Sequence, residues 1–284
     1  MSTNGPATKA DLVADAAALG VTVSERLVTD WIEVGLLDAP TRTGAGRGKG
    51  SKHALFPANQ RRLFTSLIQK RAETRKISQL AQVPMYLWVC WGDDYVPTRQ
   101  AGKAFRTWAK DTKRVGVKSG QAIAKGWVEA VAGAQAPQQE VTELTTLLAA
   151  VANLGRLDDP DELERLLDIV IDPEGSDQRL GPPGLELDAR EYVKSVVCSQ
   201  VALSHVLDGT LEENMLLTAR EHQRQDLAQY LLQQPGLLAQ MTPEVSAKFK
   251  IKMETQEIFE QVCPSLLLVI GALYYPGEGT DARG

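Results

Sequence analysis

The chain has 284 residues, of which 43% are hydrophobic and 24% are charged. These proportions are typical of a globular protein and exclude a wholly disordered one. The formal net charge of −5 is an average over two unlike halves. Residues 1–130 hold 20 Lys and Arg against 11 Asp and Glu, whereas residues 131–284 hold 11 against 25. This asymmetry predicts a basic module for an anionic partner and an acidic module with another role.

Cysteine usage and apolar runs exclude several classes of protein. The three cysteines are widely spaced and form no CxxC pair, which argues against a disulfide framework or a zinc finger. Residues 1–10 lack the basic and apolar run of a signal peptide. The apolar stretch Leu266–Tyr275 is much shorter than the roughly 20 residues that span a bilayer. We therefore expect a cytoplasmic protein with no membrane partner.

Two short helices are predicted at the start of the chain. Apolar spacing places the first over Lys9–Leu19, with Thr8 and Asp11 as a capping box. The sequence TVSE at Thr22–Glu25 predicts a second capping box and a second helix, which Gly35 ends. Two short helices joined by a Gly-containing turn are typical of a helix-turn-helix.

The second helix has an apolar side and an outward, polar side. The polar stripe follows the i, i+3, i+4, i+7 spacing of one helix face, and its members are Arg26, Thr29, Asp30 and Glu33. An exposed stripe of this kind is a candidate for reading bases, and a plain solvated face is the alternative interpretation.

A basic, glycine-rich segment follows. Residues Thr41–Lys52 read TRTGAGRGKGSK, with four glycines, two arginines, two lysines and no acid. A short apolar run then leads to Pro57, where another helix is predicted to begin, with Leu63, Phe64, Leu67 and Ile68 on its inner face. The simplest interpretation is a β-hairpin wing with a basic tip, and the alternative is a solvated loop. Ten of the residues between Thr41 and Lys76 are Lys or Arg, and Glu73 is the one acid.

The rest of the chain is predicted to be helical, which gives a mainly α fold. Further helices are expected at about Ile77–Trp91, Thr98–Thr112, Ser119–Val131, Glu140–Leu154, Asp161–Ile171, Asp188–Leu207, Leu211–Gln233 and Pro243–Tyr274. Composition divides the chain into three predicted domains. They are a winged helix-turn-helix at 1–76, a basic, Trp-containing helical extension at 77–135, and an acidic helical assembly or regulatory domain at 136–284.

Residues of about 8–72 resemble the winged helix-turn-helix of MerR-type regulators. The resemblance lies in the GVTVSE turn, the helix ending in Gly35-Leu36-Leu37, and the basic wing that ends in LFP. Aligned backward from Gly35, the family's recognition-helix arginine falls at Thr29, and its aromatic positions fall at Asp30 and Trp31. The resemblance implies DNA binding in a bacterial nucleoid. Small excisionases and directionality factors of phages and plasmids share the same pattern.

Residue chemistry assigns expected roles at a DNA surface. Arg26 can pair with guanine, Thr29 can touch a thymine methyl group, and Asp30 can accept from cytosine N4. Basic side chains of the wing and the next helix can neutralise phosphates. The predicted DNA-binding set is Arg26, Thr29, Asp30, Arg42, Arg47, Lys49, Lys52, His53, Arg61 and Arg62.

We find no sequence motif for catalysis, a metal or a cofactor, so none of these is expected. The leading hypothesis is a sequence-specific regulator of transcription that binds double-stranded DNA, and a homodimer is expected since helix-turn-helix proteins read paired half-sites. An excisionase-like or plasmid or phage maintenance factor is the second hypothesis. The third is an effector-binding protein or enzyme whose chemistry lies in the C-terminal helices, where a protein or small-molecule effector could bind.

Overall fold

A computed structural model describes residues 5–41, 54–114, 119–171, 180, 187–233 and 253–274, without the side chains of 112–114, 226–233 and 253–258. These residues form eleven helices, which confirms the predicted mainly α fold. The helices are α1 Lys9–Ala18, α2 Glu25–Glu33, α3 Ala58–Glu73, α4 Ile77–Trp91, α5 Thr98–Arg114, α6 Gly120–Val131, α7 Gln138–Leu154, α8 Pro160–Val170, α9 Ala189–Asp208, α10 Glu213–Gln233 and α11 Met253–Tyr274. The predicted start of the last helix at Pro243 lies outside the described residues.

Local sequence signals set the ends of α1 and α2. The Thr8 hydroxyl accepts from the Asp11 amide at 3.2 Å, and the Asp11 carboxylate accepts from the Thr8 amide at 2.8 Å, so the predicted capping box is confirmed. The second box is wrong. Ser24, and not Thr22, caps α2, because its hydroxyl reaches the Leu27 amide at 3.3 Å.

The predicted β-hairpin wing is not supported, because the described residues contain no strand. They contain two isolated antiparallel bridges, Thr41 with Leu55 and Ala7 with Phe56, each held by two backbone hydrogen bonds. A proline follows Phe56 in the sequence and another precedes Thr41, and proline cannot donate to a ladder, which limits the pairing at both places. Residues 42–53, the predicted tip, lie outside the described part of the chain.

The first compact unit comprises Met1–Lys113 and Arg220–Cys263. Helices α1, α2 and α3 pack on one another around fully buried apolar side chains. The rings of Trp31 and Phe64 lie 5.7 Å apart between α2 and α3. The predicted inner face of α3 is confirmed, since Leu63, Phe64, Leu67 and Ile68 are all buried.

Helix α5 is docked against the backbone that follows α2. Gly35 ends α2 at a φ of +80° and touches α5 so closely that a Cβ there would lie 2.5 Å from Lys103 Cβ and 2.6 Å from the Ala104 nitrogen. One turn further along, the Thr107 hydroxyl donates to the Val34 carbonyl at 2.8 Å. The basic extension predicted as a separate domain therefore begins with helices that pack on α3 and on the end of α2.

Two buried glutamines connect α3, α5 and the residues after α2. The Asp38 amide donates to Gln60 Oε1 at 2.8 Å, and Gln60 Nε2 donates to Gln100 Oε1 at 2.8 Å. Gln100 Nε2 in turn donates to the Leu36 carbonyl at 3.0 Å. Each glutamine is 1% exposed, and both the oxygen and the nitrogen of its side-chain amide form a hydrogen bond. The network therefore fixes residues 36–38 without burying an unsatisfied amide.

The second compact unit comprises Arg114–Ala219 and Pro264–Gly284. Its core is a layer of small and branched apolar side chains from α6 to α9, including Val128, Leu148, Leu167 and Val193. The two units cut across the predicted divisions at residues 76 and 135. Helix α6 belongs with the acidic helices because its apolar face packs on α7.

The close approach at Gly35 gives a test of the fold by urea unfolding, followed by tryptophan fluorescence. Gly35→Ala should lower the free energy of unfolding by about 3 kcal/mol or more, since it combines left-handed strain with overlap against the α5 backbone. Gly20→Ala is the matched control. Gly20 has a φ of +76° but nothing within 4 Å of the added Cβ, so only the strain of about 1 kcal/mol should appear. Equal losses for the two variants would contradict the docking of α5.

Candidate nucleic-acid interface

The outward face of α2 is polar and predominantly acidic. Glu25, Arg26, Asp30 and Glu33 are exposed, whereas Val28 and Trp31 are buried on the other side. The predicted stripe is therefore present, and Thr29 is its half-buried member. No described residue forms an ion pair with Arg26. Three carboxylates against one guanidinium would repel phosphates, so any strong attraction for nucleic acid must come from neighbouring elements.

Thr29 is fixed by two hydrogen bonds that the sequence did not reveal. Lys9 Nζ donates to the Thr29 hydroxyl at 2.8 Å, and that hydroxyl donates to the Glu25 carbonyl at 3.1 Å. The hydroxyl is thereby engaged as acceptor and donor, which leaves the methyl group for any further contact. Lys9 also brings a positive charge to the acidic face of α2.

Arg61 and Arg62 are neighbours in sequence with different environments. Arg61 Nε and Nη2 bind the two carboxylate oxygens of Asp15 at 2.6 and 2.8 Å, and each side chain is 13% exposed. The hydrogen bond to Asp15 raises the pKa of Arg61 above its ordinary value. Arg61 therefore ties α3 to α1, and its third nitrogen, Nη1, donates to the Gly5 carbonyl at 3.5 Å. Arg62 is exposed, with its guanidinium 5.9 Å from the centre of the Tyr95 ring.

A cleft of about 480 Å³ lies between the turn that precedes α2 and the end of α3. Gly20, Val21 and Thr22 line one side, and residues 71–75 line the other. Glu73 is the cleft's only carboxylate among the lining residues, and it is paired with Lys70 at 2.7 Å. Within the described part of the chain neither Arg71 nor Arg75 has an ion-pair partner. The cleft thus combines two guanidinium groups with one neutralised acid, which favours an anion.

Sequence reasoning did not assign Arg71 and Arg75 to the site. The density of basic residues between Thr41 and Lys76 was the available signal. It could not show that these two arginines meet a turn about fifty positions earlier in the chain.

The remaining predicted residues belong to the glycine-rich segment. Arg42, Arg47, Lys49, Lys52 and His53 lie outside the described residues. The two ends of the segment are described, however, and the Thr41–Leu55 bridge holds them together. On one side the Asp38 carboxylate pairs with Arg99 of α5 at 2.7 Å. The Asp38–Arg99 pair accordingly ties the described chain between α2 and Thr41 to α5.

The described residues offer little to metal or thiol chemistry. No group of three or more His, Cys, Asp and Glu that could hold a metal ion occurs among them. Burial raises the pKa of the Cys90 thiol to about 12 and that of Cys198 to about 11. Burial also raises the pKa of Cys263. All three are protonated at neutral pH and are poor nucleophiles.

No helix in the described ranges is long and apolar enough to cross a membrane. Comparison with known proteins adds no relative, since no family model, no curated protein and no solved structure matches the chain.

The different environments of Arg61 and Arg62 predict different effects on stability. Arg61→Gln should lower the free energy of unfolding by about 3 kcal/mol, because it leaves the nearly buried Asp15 carboxylate unpaired. Arg62→Gln, the neighbouring control, should stay within about 0.5 kcal/mol of the unmodified chain. Both are measured by urea unfolding at neutral pH. If Arg61→Gln were as stable as Arg62→Gln, the ion pair between Arg61 and Asp15 would have no role in stability.

Proposed function

We propose that the protein is a sequence-specific regulator of transcription that binds double-stranded DNA through a MerR-like winged helix-turn-helix at residues of about 8–72. The observation that carries the proposal is the set of residues around α2. Its polar face is exposed, and the cleft beside the turn that precedes it is lined by Arg71 and Arg75, which have no ion-pair partner among the described residues. Thr41 and Leu55, the described residues on either side of the basic 42–53 segment, are bridged to each other, and Thr41 follows the end of α2 by eight residues.

In this proposal α2 lies in the major groove and its neighbours hold the backbone. Arg26 pairs with guanine O6 and N7, the Thr29 methyl group contacts thymine, and Asp30 accepts from cytosine N4. The basic tip of the wing, with Arg42, Arg47, Lys49, Lys52 and His53, follows the phosphates or enters the minor groove. Arg62 and the arginines of the cleft add phosphate contacts. The acidic face of α2 makes these surrounding cations the main source of affinity.

Assembly and location follow from the same proposal. Reading two half-sites related by symmetry requires a homodimer, and such a protein acts on the bacterial nucleoid. The acidic second unit would then serve assembly or the binding of a protein or small-molecule effector. A genome-wide binding map separates this function from that of an excisionase-like or maintenance factor. Many promoter sites support the regulator, whereas a single cluster at an attachment or partition locus supports the other function.

The role of the wing is tested with the triple variant Arg47→Ala, Lys49→Ala, Lys52→Ala. Its affinity should fall on all duplex sequences. The slope of log binding constant against log salt should become shallower by about 2.7, at about 0.9 per lost phosphate contact. Fluorescence anisotropy with labelled duplexes at several salt concentrations gives both quantities.

The control removes three positive charges from the second unit, with Lys125→Ala, Arg156→Ala and Arg165→Ala. These side chains are 69%, 67% and 47% exposed. If the wing variant and this control had the same salt slope, the assignment of the wing would be wrong.

Base reading is tested with Arg26→Ala against Arg62→Ala, which removes the same charge from the same unit. A preferred duplex is first selected from a random pool with the unmodified protein. Arg26→Ala should weaken binding to the preferred duplex by about 1–3 kcal/mol and change binding to random DNA little. Arg62→Ala should weaken both about equally, because phosphate contacts carry no sequence information. An equal loss on both duplexes for Arg26→Ala would make Arg26 a backbone contact.

A further inference from the structure

Helix α5 has one apolar face and one basic face. Ala101, Ala104, Phe105 and Trp108 are buried. The basic side chains recur at i, i+4, i+7 and i+11, which places them on one stripe of the helix. We call this set the α5 basic stripe, and its members are Arg99, Lys103, Arg106 and Lys110. Asp111, the acid of this helix, is engaged with the Ser78 hydroxyl at 2.5 Å.

The α5 basic stripe has a fixed position next to the proposed reading elements. Gly35 fits against the backbone at Lys103 and Ala104, and Gln100 and Thr107 donate to carbonyls of the segment after α2. Arg99 pairs with Asp38 at 2.7 Å, although the arginine side chain remains 71% exposed. The stripe therefore starts where the chain leaves α2 for the 42–53 segment.

Two cations of the stripe are available to a partner. Lys103 and Lys110 are exposed, and within the described ranges neither has an ion-pair partner. Seven residues of helix separate them by about 10 Å, which equals about three nucleotide steps at 3.4 Å of rise per strand. A helix fixes the backbone positions of both lysines, so less backbone order has to be gained on binding than for charges on a loop.

We propose that the α5 basic stripe is a further contact surface for the phosphate backbone of double-stranded DNA, outside the winged helix-turn-helix. The inference rests on the proposed function, since it places the stripe beside a duplex that α2 and the wing already hold. Lys103 and Lys110 neutralise phosphates, and Arg99 cancels the charge of Asp38 at the edge of the surface. The partner is duplex DNA, and the phosphate contacts at these positions carry no sequence preference.

The test uses the full chain with Lys103→Gln and Lys110→Gln together. The matched control is Lys125→Gln with Arg156→Gln, which removes two exposed charges from the second unit. Anisotropy titrations with one labelled duplex are made between 50 and 400 mM salt. The α5 variant should lose affinity for every duplex, with a salt slope shallower by about 1.8. Hydroxyl-radical footprinting should lose protection at the margin of the site and keep it at the centre.

The single variant Lys110→Gln keeps the test valid if the double variant is unstable. Lys110 is two turns away from the Gly35 contact, so its replacement leaves the docking of α5 intact. A slope shallower by about 0.9, with an unchanged unfolding midpoint, is expected.

Failure of this inference and failure of the proposed function give different results. If the unmodified chain binds no duplex, both are overturned. If it binds with a steep salt dependence and both α5 variants match the control, only the role of the stripe is overturned. Loss of self-association in sedimentation with unchanged DNA binding would also overturn it, because the stripe would then face the acidic unit of a second copy.

Discussion

The first unit depends on the contact between α5 and residues 34–38, which follow α2. This contact is made by Gly35, by the two mutually hydrogen-bonded glutamines and by the Thr107 hydroxyl. The polar groups in it have hydrogen-bond partners within the protein. Buried amides are costly when a partner is missing, at about 1–3 kcal/mol for each unsatisfied group. The network therefore tolerates one arrangement of α3, α5 and residues 34–38, which is more restrictive than apolar packing alone.

The contact with α5 and the Asp15–Arg61 pair support α2 on two sides. The ion pair joins α1 to α3 on one side, and the glutamine network joins the end of α2 to α3 and α5 on the other. A helix that reads bases must present its side chains within fractions of an ångström, because a hydrogen bond to a base edge weakens steeply with distance and angle. Rigid support of α2 is thus what the proposed function requires, and the exposed face of α2 need contribute nothing to the stability of the fold.

Much of the helical architecture could be predicted from local sequence. Local patterns predicted nine of the described helices to within a few residues, and also the start and the inner face of α3. The left-handed glycine at 35 correctly ended α2. These features depend on residues less than one or two turns apart. The cap of α2 was misplaced by two residues, because Thr22 and Ser24 are both good caps and only the backbone path decides between them.

The candidate site was harder to predict because its contacts join distant parts of the chain. Arg61 lies in a strongly basic run and looked like a phosphate ligand, but its partner Asp15 is 46 positions away. The docking of α5 on Gly35 spans nearly seventy positions, and the hydrogen bond between Gln60 and Gln100 spans 40. A single sequence carries no record of such pairings. It does carry the total of positive charge, but not which charges are neutralised within the fold.

The distribution of charge around α2 links these points to discrimination between DNA sequences. On the proposed function, the acidic residues Glu25, Asp30 and Glu33 lie at the centre of a surface whose cations are at its edges. Cations at the edges attract any duplex, whereas carboxylates at the centre are repelled by phosphates and tolerate only a groove that offers donors such as cytosine N4. Affinity and selectivity would thereby reside in different residues. The net charge of −5 does not oppose DNA binding, because most of the acid lies in the other unit and the acid on α2 acts against misplaced duplexes.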